Sequence, residues 1–245
     1  MPFKTSGSGA EPQSCQSEYS LYQTVKIPIH GEPRQFHAMD IEIKKMQEEH
    51  INKVTAIHIA SFPNFFLSFL GERFLKEFYR SFLYDKTGLA LVAETNGKLA
   101  GFAVGTDSPA GYFKRLLIRR WWVFSVNSIN AILRKPWIIP RLFRAVFYRG
   151  TPPGQQCALL SSIAVAPKYQ GCGIGKLLIK LWIQKISYRN IISCYLTTDA
   201  ENNCRINAFY QSQGWKLDFI YQTAEGRKMN RYIYEIKKKH LQKKK

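Results

Sequence analysis

The sequence predicts a mixed α/β domain with a central, mostly antiparallel sheet of about six or seven strands, flanked by about four helices. Three observations lead to this prediction. The pair Asn96-Gly97 separates two short apolar runs, strand-like and helix-like segments alternate after residue 157, and 45% of the 245 residues are hydrophobic. Asn-Gly favours the tight turn of a hairpin, and a chain of this length and composition can bury a substantial core.

The first part of the predicted domain contains a strand, two helices and a hairpin. Alternating apolar and charged residues at 36–43 predict the strand, and apolar residues at helical spacing in 51–58 and 74–83 predict the helices. The runs 89–94 and 99–105 flank the Asn-Gly pair, so they are expected to form an antiparallel pair.

The second part alternates between strands and helices. It is predicted to contain a strand at 158–165, a glycine loop, a helix at 175–187, a strand at 194–198 and a helix at 203–213. A closing hairpin is expected around Glu225 and Gly226.

Composition divides the chain into further segments. Residues 1–35 mix Ser, Gly, Pro and Gln and predict a flexible leader, so the domain is expected to span 36–236. A basic helical insertion is predicted at about 106–154, because the stretch 111–150 holds nine Lys or Arg and no acidic residue. The segment 237–245 holds six lysines and is predicted to be a solvated tail.

Charge and cysteine content restrict the class of protein. The net charge of +19 favours anionic partners such as phosphorylated ligands, nucleic acid or an acidic membrane surface. Five scattered cysteines without a CxxC pair argue against a disulfide framework and against a zinc site, so a reducing cytoplasm and no metal are expected. The first thirty residues show no secretory signal, and the uncharged stretch Trp121 to Leu133 is shorter than the ~20 residues of a membrane span.

The most informative segment is a strand that runs into a glycine loop and then a helix. Gly171, Gly173 and Gly175 stand at alternate positions, which leaves the backbone N–H groups free to approach one anion at the positive end of the helix. A nucleoside triphosphate loop would need Ser or Thr after Gly175-Lys176, and a dinucleotide fold would need a different glycine spacing. The loop is therefore predicted to bind a pyrophosphate.

Two motifs resemble the GNAT superfamily of N-acetyltransferases. Gln170, Gly173 and Gly175, after an apolar strand, resemble the coenzyme A signature of that family. Further on, Asn203 stands seven positions before Tyr210, which is similar to the family's next helix and is followed by Gly214 and Trp215. The resemblance covers 36–105 loosely and 157–235 well, and it leaves out 1–35 and 106–154.

The resemblance implies a GNAT-like sheet whose middle strands splay apart and hold acetyl-CoA. The pantetheine would pair with backbone groups of Ile163 and Val165 like an extra strand, and transfer would be direct, without a covalent enzyme intermediate. Cys172 has no neighbouring base in sequence and is not expected to act as a nucleophile. The cofactor-binding residues implied are Ile163, Ala164, Val165, Gln170, Gly171, Cys172, Gly173, Ile174, Gly175, Lys176, Asn203 and Tyr210.

Two proton transfers need side chains. Tyr210 stands where the family places the acid for the leaving thiolate, and a phenol is a suitable acid for a thiol. Glu94, Asp199 and His58 are candidates for the base that removes the ammonium proton, and the sequence does not choose among them.

The acceptor side is less well defined. Phe62, Phe65 and Phe66 lie where the family builds an acceptor wall, although ordinary core aromatics would give the same pattern. Ser161 and Ser162, on the predicted cofactor strand, are expected either to orient the acceptor or to satisfy the strand edge.

Three functions stay open at this stage. The first is acetylation of a primary amine, with an amino sugar on a nucleotide or lipid pyrophosphate favoured because it would meet the cations of 111–150. The second is acetylation of a protein amino terminus or lysine, and the third is an RNA-binding module without turnover, with nucleic acid the less favoured partner. The basic insertion could also rest on an anionic membrane, giving a membrane-peripheral protein, or simply keep the protein soluble.

Overall fold

The fold is built around one central β-sheet. The computed structural model describes residues 24–27, 39–63, 65–112, 115–116, 156–223 and 226–236. Within these ranges the sheet has eight strands in the order β1-β2-β3-β4-β5-β6-β8-β7. The strands are β1 Thr24–Ile27, β2 Met39–Lys45, β3 Gly88–Thr95, β4 Lys98–Thr106, β5 Cys157–Val165, β6 Ser193–Asp199, β7 Lys216–Gln222 and β8 Lys228–Glu235. Neighbouring strands are antiparallel except β5 and β6, which are parallel.

Five α-helices lie with both ends in the described ranges, and four of them have nine or more residues. They are α1 Ile51–Ser61, α2 Phe66–Phe69, α3 Glu72–Tyr84, α4 Ile174–Ser187 and α5 Cys204–Ser212. Short 3-10 turns at Glu48–His50 and Pro167–Tyr169 precede α1 and follow β5. The single turn α2 lies in the link between α1 and α3.

The hairpin between β3 and β4 confirms the Asn-Gly prediction. Asn96 and Gly97 have φ angles of 49° and 68°, so both central residues of the turn are left-handed. That conformation matches the twist of a two-residue hairpin, and Asn and Gly adopt it at the lowest cost.

The core lies on both faces of the sheet. On one face α1 and α3 pack against the central strands, and Val54, Leu75 and Phe102 are almost completely buried there. On the other face α4 packs through Leu178 and Trp182. The Trp182 indole N–H also donates to the Leu89 carbonyl at 3.3 Å, which satisfies its buried polar atom.

The mixed α/β fold predicted from the sequence is confirmed, with one more strand than expected. The additional strand, β1, lies within the segment 1–35 that was predicted to be a leader, and it pairs with β2. Most of the predicted basic insertion and the lysine segment 237–245 lie outside the described residues. In the part of the chain that is described, no helix is long and apolar enough to cross a membrane.

Candidate functional site

A gap opens between β5 and β6. The two strands pair at only three positions, from Cys157 with Ser193 to Leu159 with Tyr195, yet each strand continues for several residues beyond. On its other edge β5 stays paired with β4 as far as Val165. The predicted splaying of the middle strands is therefore confirmed, and the gap starts after Leu159.

The β5 edge of this gap offers backbone hydrogen-bonding groups. The Ala166 N–H donates to the Ala100 carbonyl of β4 at 2.8 Å. Because successive residues of a strand direct their N–H and C=O groups to opposite edges, those of Ile163 and Val165 face the gap. The Gln170 side chain donates to the Val165 carbonyl at 3.2 Å, which holds the following loop against the strand end.

A β-bulge stands at the start of the same edge. The register between β4 and β5 shifts after Val104, so that Ser161 is the extra residue between Leu160 and Ser162. A bulge of this kind changes the direction of the side chains beside it. Here it lies next to the point where β5 leaves β6.

The glycine loop carries this edge into α4. Gly171 and Gly173 have φ angles of 82° and 78°, in the left-handed region that favours glycine, and Gly173 is the residue that caps α4. At Gly175 a Cβ atom would lie 3.5 Å from the Phe209 ring and 3.7 Å from the Val165 side chain. The loop therefore brings its backbone close to the end of β5 and to α5.

The backbone amides of this loop make no backbone hydrogen bond within the part of the chain that the structure describes. Among the described residues, no backbone N–H from Gly171 to Lys176 donates to another backbone carbonyl, and Leu177 is the next residue whose N–H does, to Gly173 at 3.1 Å. These amides stand at the N-terminus of α4, where the helix dipole is positive. Such an arrangement suits a diphosphate, and it fits the pyrophosphate of coenzyme A.

Tyr210 lies on α5 and is buried. Its ring packs against Trp215 at a centroid distance of 6.1 Å and against Tyr232 at 6.0 Å. Burial raises the pKa of Tyr210, so the phenol stays protonated near neutral pH. Its hydroxyl makes no hydrogen bond to the described residues, and it is therefore available as a donor.

Asparagine side chains connect α5 to the end of β6. Asn203 donates to the Thr198 hydroxyl at 2.8 Å and to the Asp199 carbonyl at 3.2 Å. Asn207 donates to the same carbonyl at 3.0 Å and accepts from the Tyr232 hydroxyl at 3.1 Å. The predicted cofactor residue Asn203 thus fixes the helix that carries Tyr210.

Three distant segments meet on the face of the sheet that carries α1 and α3. Arg227, after the turn between β7 and β8, donates to both carboxylate oxygens of Asp199 at 2.6 and 2.8 Å. Its guanidinium carbon also lies 5.7 Å from the centroid of the Phe65 ring, and the Phe65 and Phe62 rings are 6.1 Å apart. The end of β6, the last hairpin and the α1–α3 link therefore adjoin one another. Phe66 begins α2, and its side chain lies outside the described part of the chain.

The structure separates the candidate bases from one another. Glu94 lies on β3, with β4 between it and β5, and its carboxylate contacts Lys44 at 2.6 Å and His50 at 3.2 Å. Burial acts to raise the pKa of Glu94, but the hydrogen bond and charge of Lys44 and the charge of His50 outweigh it and lower the pKa. Glu94 is therefore an ion-paired carboxylate away from the gap. The Asp199 carboxylate is likewise ion-paired, with Arg227.

His58 and Ser162 are brought together by a residue that the sequence did not single out. The Tyr79 hydroxyl lies 2.5 Å from the His58 Nδ1 and 3.3 Å from the Ser162 hydroxyl. Burial lowers the pKa of His58 to about 4, which makes it a neutral imidazole at physiological pH. Tyr79 was only one member of an apolar helical stripe in the sequence, and Arg227 carried no motif, so no local signal identified either residue.

Metal ligands are not clustered in the described residues. No group of three or more His, Cys, Asp or Glu side chains stands close enough to hold an ion there. Cys172 lies in the glycine loop with its sulfur 3.9 Å from the Gln170 carbonyl.

A split strand pair beside a glycine loop, whose amides have no backbone acceptor among the described residues, is the arrangement expected of a coenzyme A-dependent acyltransferase. The sequence profile of the acetyltransferase (GNAT) family matches residues 51–215. The chain belongs to this family and is an acetyl-CoA-dependent N-acetyltransferase. No curated protein sequence matches the chain.

Solved structures share the fold of this chain. The chain is similar to the ribosomal-protein-alanine N-acetyltransferase from Brucella melitensis, with 18% identity, a TM-score of 0.52, and coverage of 79% of this chain and 98% of the other. It is also similar to YncA, a putative acetyltransferase from Salmonella typhimurium solved with its cofactor acetyl-CoA, with 13% identity, a TM-score of 0.52, and coverage of 80% and 94%. Ard1 from Thermoplasma volcanium gives 13% identity, a TM-score of 0.52, and coverage of 80% and 97%.

Proposed function

We propose that this protein transfers the acetyl group of acetyl-CoA directly to a primary amine carried by an amino sugar on a nucleotide or lipid pyrophosphate. The observation that supports the transfer is the β5–β6 gap, which ends at a loop whose amides from Gly171 to Lys176 have no backbone acceptor among the described residues. A thioester held along one edge of the gap can be approached from the other face of the sheet.

The cofactor side of this proposal follows the strand and the loop. The diphosphate binds the amides from Gly171 to Lys176, and the pantetheine pairs with the backbone groups of Ile163 and Val165. Gln170 keeps the loop against the strand end, and Asn203 fixes α5 beside it. The acetyl group then lies toward the bulge at Ser161.

The chemistry needs no covalent enzyme intermediate. The neutral amine attacks the thioester carbonyl, and the gap-facing N–H of Ile163 stabilises the oxyanion of the tetrahedral intermediate. Collapse of the intermediate breaks the C–S bond and releases the thiolate of coenzyme A. Tyr210 gives its phenolic proton to that thiolate and recovers one from solvent, while the proton lost by the nitrogen passes to water.

The acceptor is proposed to enter between the α1–α3 link and the last hairpin. Phe62 and Phe65 offer aromatic faces on which a sugar ring can pack, and Arg227 is a partly exposed cation above Phe65. The nine cations of 111–150 supply further positive charge for a pyrophosphate or, as a second role of the same segment, for the surface of an anionic membrane. Binding to anionic but not to neutral vesicles would test the membrane role.

A protein amino terminus is the second candidate acceptor. A protein of the same fold, the one from Brucella melitensis, is a ribosomal-protein-alanine N-acetyltransferase. The membership in the acetyltransferase family favours an enzyme over an RNA-binding module without turnover.

The test is release of free thiol from acetyl-CoA in the presence of matched acceptors. The acceptors are a nucleotide-linked amino sugar, the same sugar without its nucleotide, a peptide with amino-terminal alanine, a lysine peptide and an RNA oligonucleotide. We expect the highest kcat/KM with the nucleotide-linked sugar and acetylation of its nitrogen by mass spectrometry. Faster turnover with the alanine peptide would replace the first acceptor by the second, and salt-sensitive RNA binding without thiol release from any amine would contradict the proposal.

A further inference from the structure

A chain of three polar side chains runs from the core to the gap. His58 belongs to α1, Tyr79 to α3 and Ser162 to β5, and their polar atoms are separated by 2.5 and 3.3 Å. His58 and Tyr79 are almost completely buried, whereas Ser162 is half-buried. Of the three side chains, Ser162 is thus the one that an acceptor can reach.

Stability alone does not account for this chain. The His58 Nε2 is buried and has no hydrogen-bond partner among the described residues. A buried polar atom without a partner destabilises a fold, and an apolar side chain of similar shape would avoid that cost. The Phe62 and Phe65 rings surround the imidazole at centroid distances of 5.0 and 6.1 Å, so the environment of His58 is otherwise apolar.

The tautomer of His58 decides the direction of this hydrogen-bond chain, because either the Tyr79 hydroxyl or the His58 Nδ1 can donate across their 2.5 Å separation. With the imidazole proton on Nε2, Tyr79 donates its one hydrogen to the His58 Nδ1. The Tyr79 oxygen then accepts from Ser162, and the Ser162 hydrogen points into the core.

The lone pairs of the Ser162 oxygen are left for the gap. Ser162 follows the bulged residue Ser161 and lies three positions beyond the last pair between β5 and β6. Its hydroxyl is on the face that also carries Phe65 and Arg227, because its partner Tyr79 belongs to α3. An acceptor nitrogen that comes from this face would meet an oxygen that can accept but not donate.

We propose that His58 and Tyr79 are positioning residues that direct the Ser162 hydroxyl, so that its oxygen accepts a hydrogen bond from the acceptor amine and aims the nitrogen lone pair at the thioester. This inference rests on the proposed function. It assigns Ser162 a contact with the substrate and His58 a role that acts through Tyr79 and Ser162.

Steady-state kinetics of single and double variants test the proposal. We expect Ser162→Ala and Tyr79→Phe each to raise the acceptor KM by about tenfold, the effect of one lost hydrogen bond, with the KM for acetyl-CoA unchanged. The double variant should be no worse than either single variant, because both changes remove the same interaction. Replacement of His58 by Asn, which keeps a polar group near the position of Nδ1, should retain more activity than His58→Leu.

A second buried tyrosine of the protein supplies a matched control. Tyr112 is a second buried tyrosine with a hydroxyl 3.0 Å from a serine, but that serine is Ser81 of α3 and not a residue of β5. Tyr112→Phe should therefore leave the acceptor KM within about twofold of the wild-type value, while costing a similar hydrogen bond. Equal effects of Tyr112→Phe and Tyr79→Phe would overturn the proposal.

A second measurement does not depend on turnover. In ¹⁵N NMR spectra of the wild-type protein, the His58 ring should carry its proton on Nε2, and a proton on Nδ1 would overturn the direction assigned to the chain. Additive losses in the double variant would overturn the role of Tyr79. If the wild-type protein acetylates no amine, the proposed function fails and the role of Ser162 fails with it, whereas wild-type turnover that Tyr79→Phe does not alter overturns only this inference.

Discussion

The two sides of the gap are built in different ways. The proposed binding edge for the diphosphate and pantetheine is one contiguous stretch, in which β5 passes through the glycine loop into α4 between Cys157 and Ser187. The proposed acceptor side is assembled from the α1–α3 link, the bulge of β5, the end of β6 and the last hairpin. Two of its residues, Phe62 and Arg227, are more than 160 positions apart in the sequence.

This difference explains which half carries a recognisable motif. A diphosphate is bound by backbone amides, and backbone geometry is determined locally by glycines and a helix start. An acceptor is bound by side chains, which several segments can supply in different combinations. The comparison predicts that changes on the cofactor side abolish binding of acetyl-CoA, whereas changes on the acceptor side alter only the use of the amine.

The largest effect is expected from Gly173→Glu. The new residue would need a left-handed φ near 78° and would place a carboxylate against the diphosphate, so affinity for acetyl-CoA should fall by about a thousandfold or more. Calorimetric titration measures this change. Gly173→Asn is the control, because Asn tolerates the same φ without a negative charge and should keep most of the affinity. Normal binding by the Glu variant would remove the loop from the cofactor site.

The next largest effect is expected from Tyr210→Phe. If Tyr210 protonates the thiolate, kcat should fall by about a hundredfold, while the Kd for acetyl-CoA stays unchanged. Tyr232→Phe is a matched control, since it removes another buried hydroxyl, one that bonds to Asn207. Equal kcat values for wild type and Tyr210→Phe would show that the thiolate is protonated by another group.

Most of the fold follows from local patterns in the sequence. The Asn96-Gly97 turn, the apolar stripe of α3 and the sequence from β5 to α4 are each determined by neighbouring residues, and each was predicted within one or two residues. β1 was not predicted as part of the sheet, because four residues in a polar segment give too short a pattern. Its pairing with β2 is a tertiary interaction.

Only the proposed cofactor side of the candidate site has a signal in the sequence. The glycine loop follows from a contiguous motif, but the His58–Tyr79–Ser162 chain depends on three elements that only the folded sheet brings together. The sequence offered Glu94 as a base because it could not show that Lys44 and His50 bind that carboxylate. It also offered Asp199 without its partner Arg227, since an ion pair across 28 residues leaves no periodic pattern.

The pH dependence of stability tests whether His58 is buried as a neutral imidazole. Burial lowers the pKa of His58 from its ordinary value near 6.5 to about 4, so between these values the unfolded chain binds a proton that the folded chain excludes. The contribution of the neutral imidazole is complete above pH 6.5 and decreases as the pH falls toward 4. Between pH 7 and pH 4.5 the wild-type protein should lose about 2 kcal/mol more of its free energy of unfolding than His58→Asn, as measured by urea titration. Parallel losses in the two proteins would show that His58 titrates normally.

The smallest effect, and the one that tests the acceptor side most directly, is expected from Arg227→Gln. The variant keeps a donor for Asp199 but removes the cation above Phe65. An anionic acceptor should lose a charge-assisted hydrogen bond, so its KM should rise by about tenfold while the Kd for acetyl-CoA stays the same.

Arg231→Gln is the matched control for this change. Arg231 of β8 forms a similar group with Asp218 and Phe219 of β7. It donates to the Asp218 carboxylate at 2.6 Å, and its guanidinium carbon lies 3.8 Å from the centroid of the Phe219 ring. The control should leave both kinetic constants within about twofold, because Asp218 and Phe219 belong to β7, the outermost strand of the sheet, and not to the α1–α3 link. A rise in the acceptor KM for a charged sugar but not for its uncharged analogue would connect Arg227 to the anion. An equal rise for both acceptors would instead mean that Arg227 only holds the hairpin against the α1–α3 link, and the acceptor charge would have to be met elsewhere.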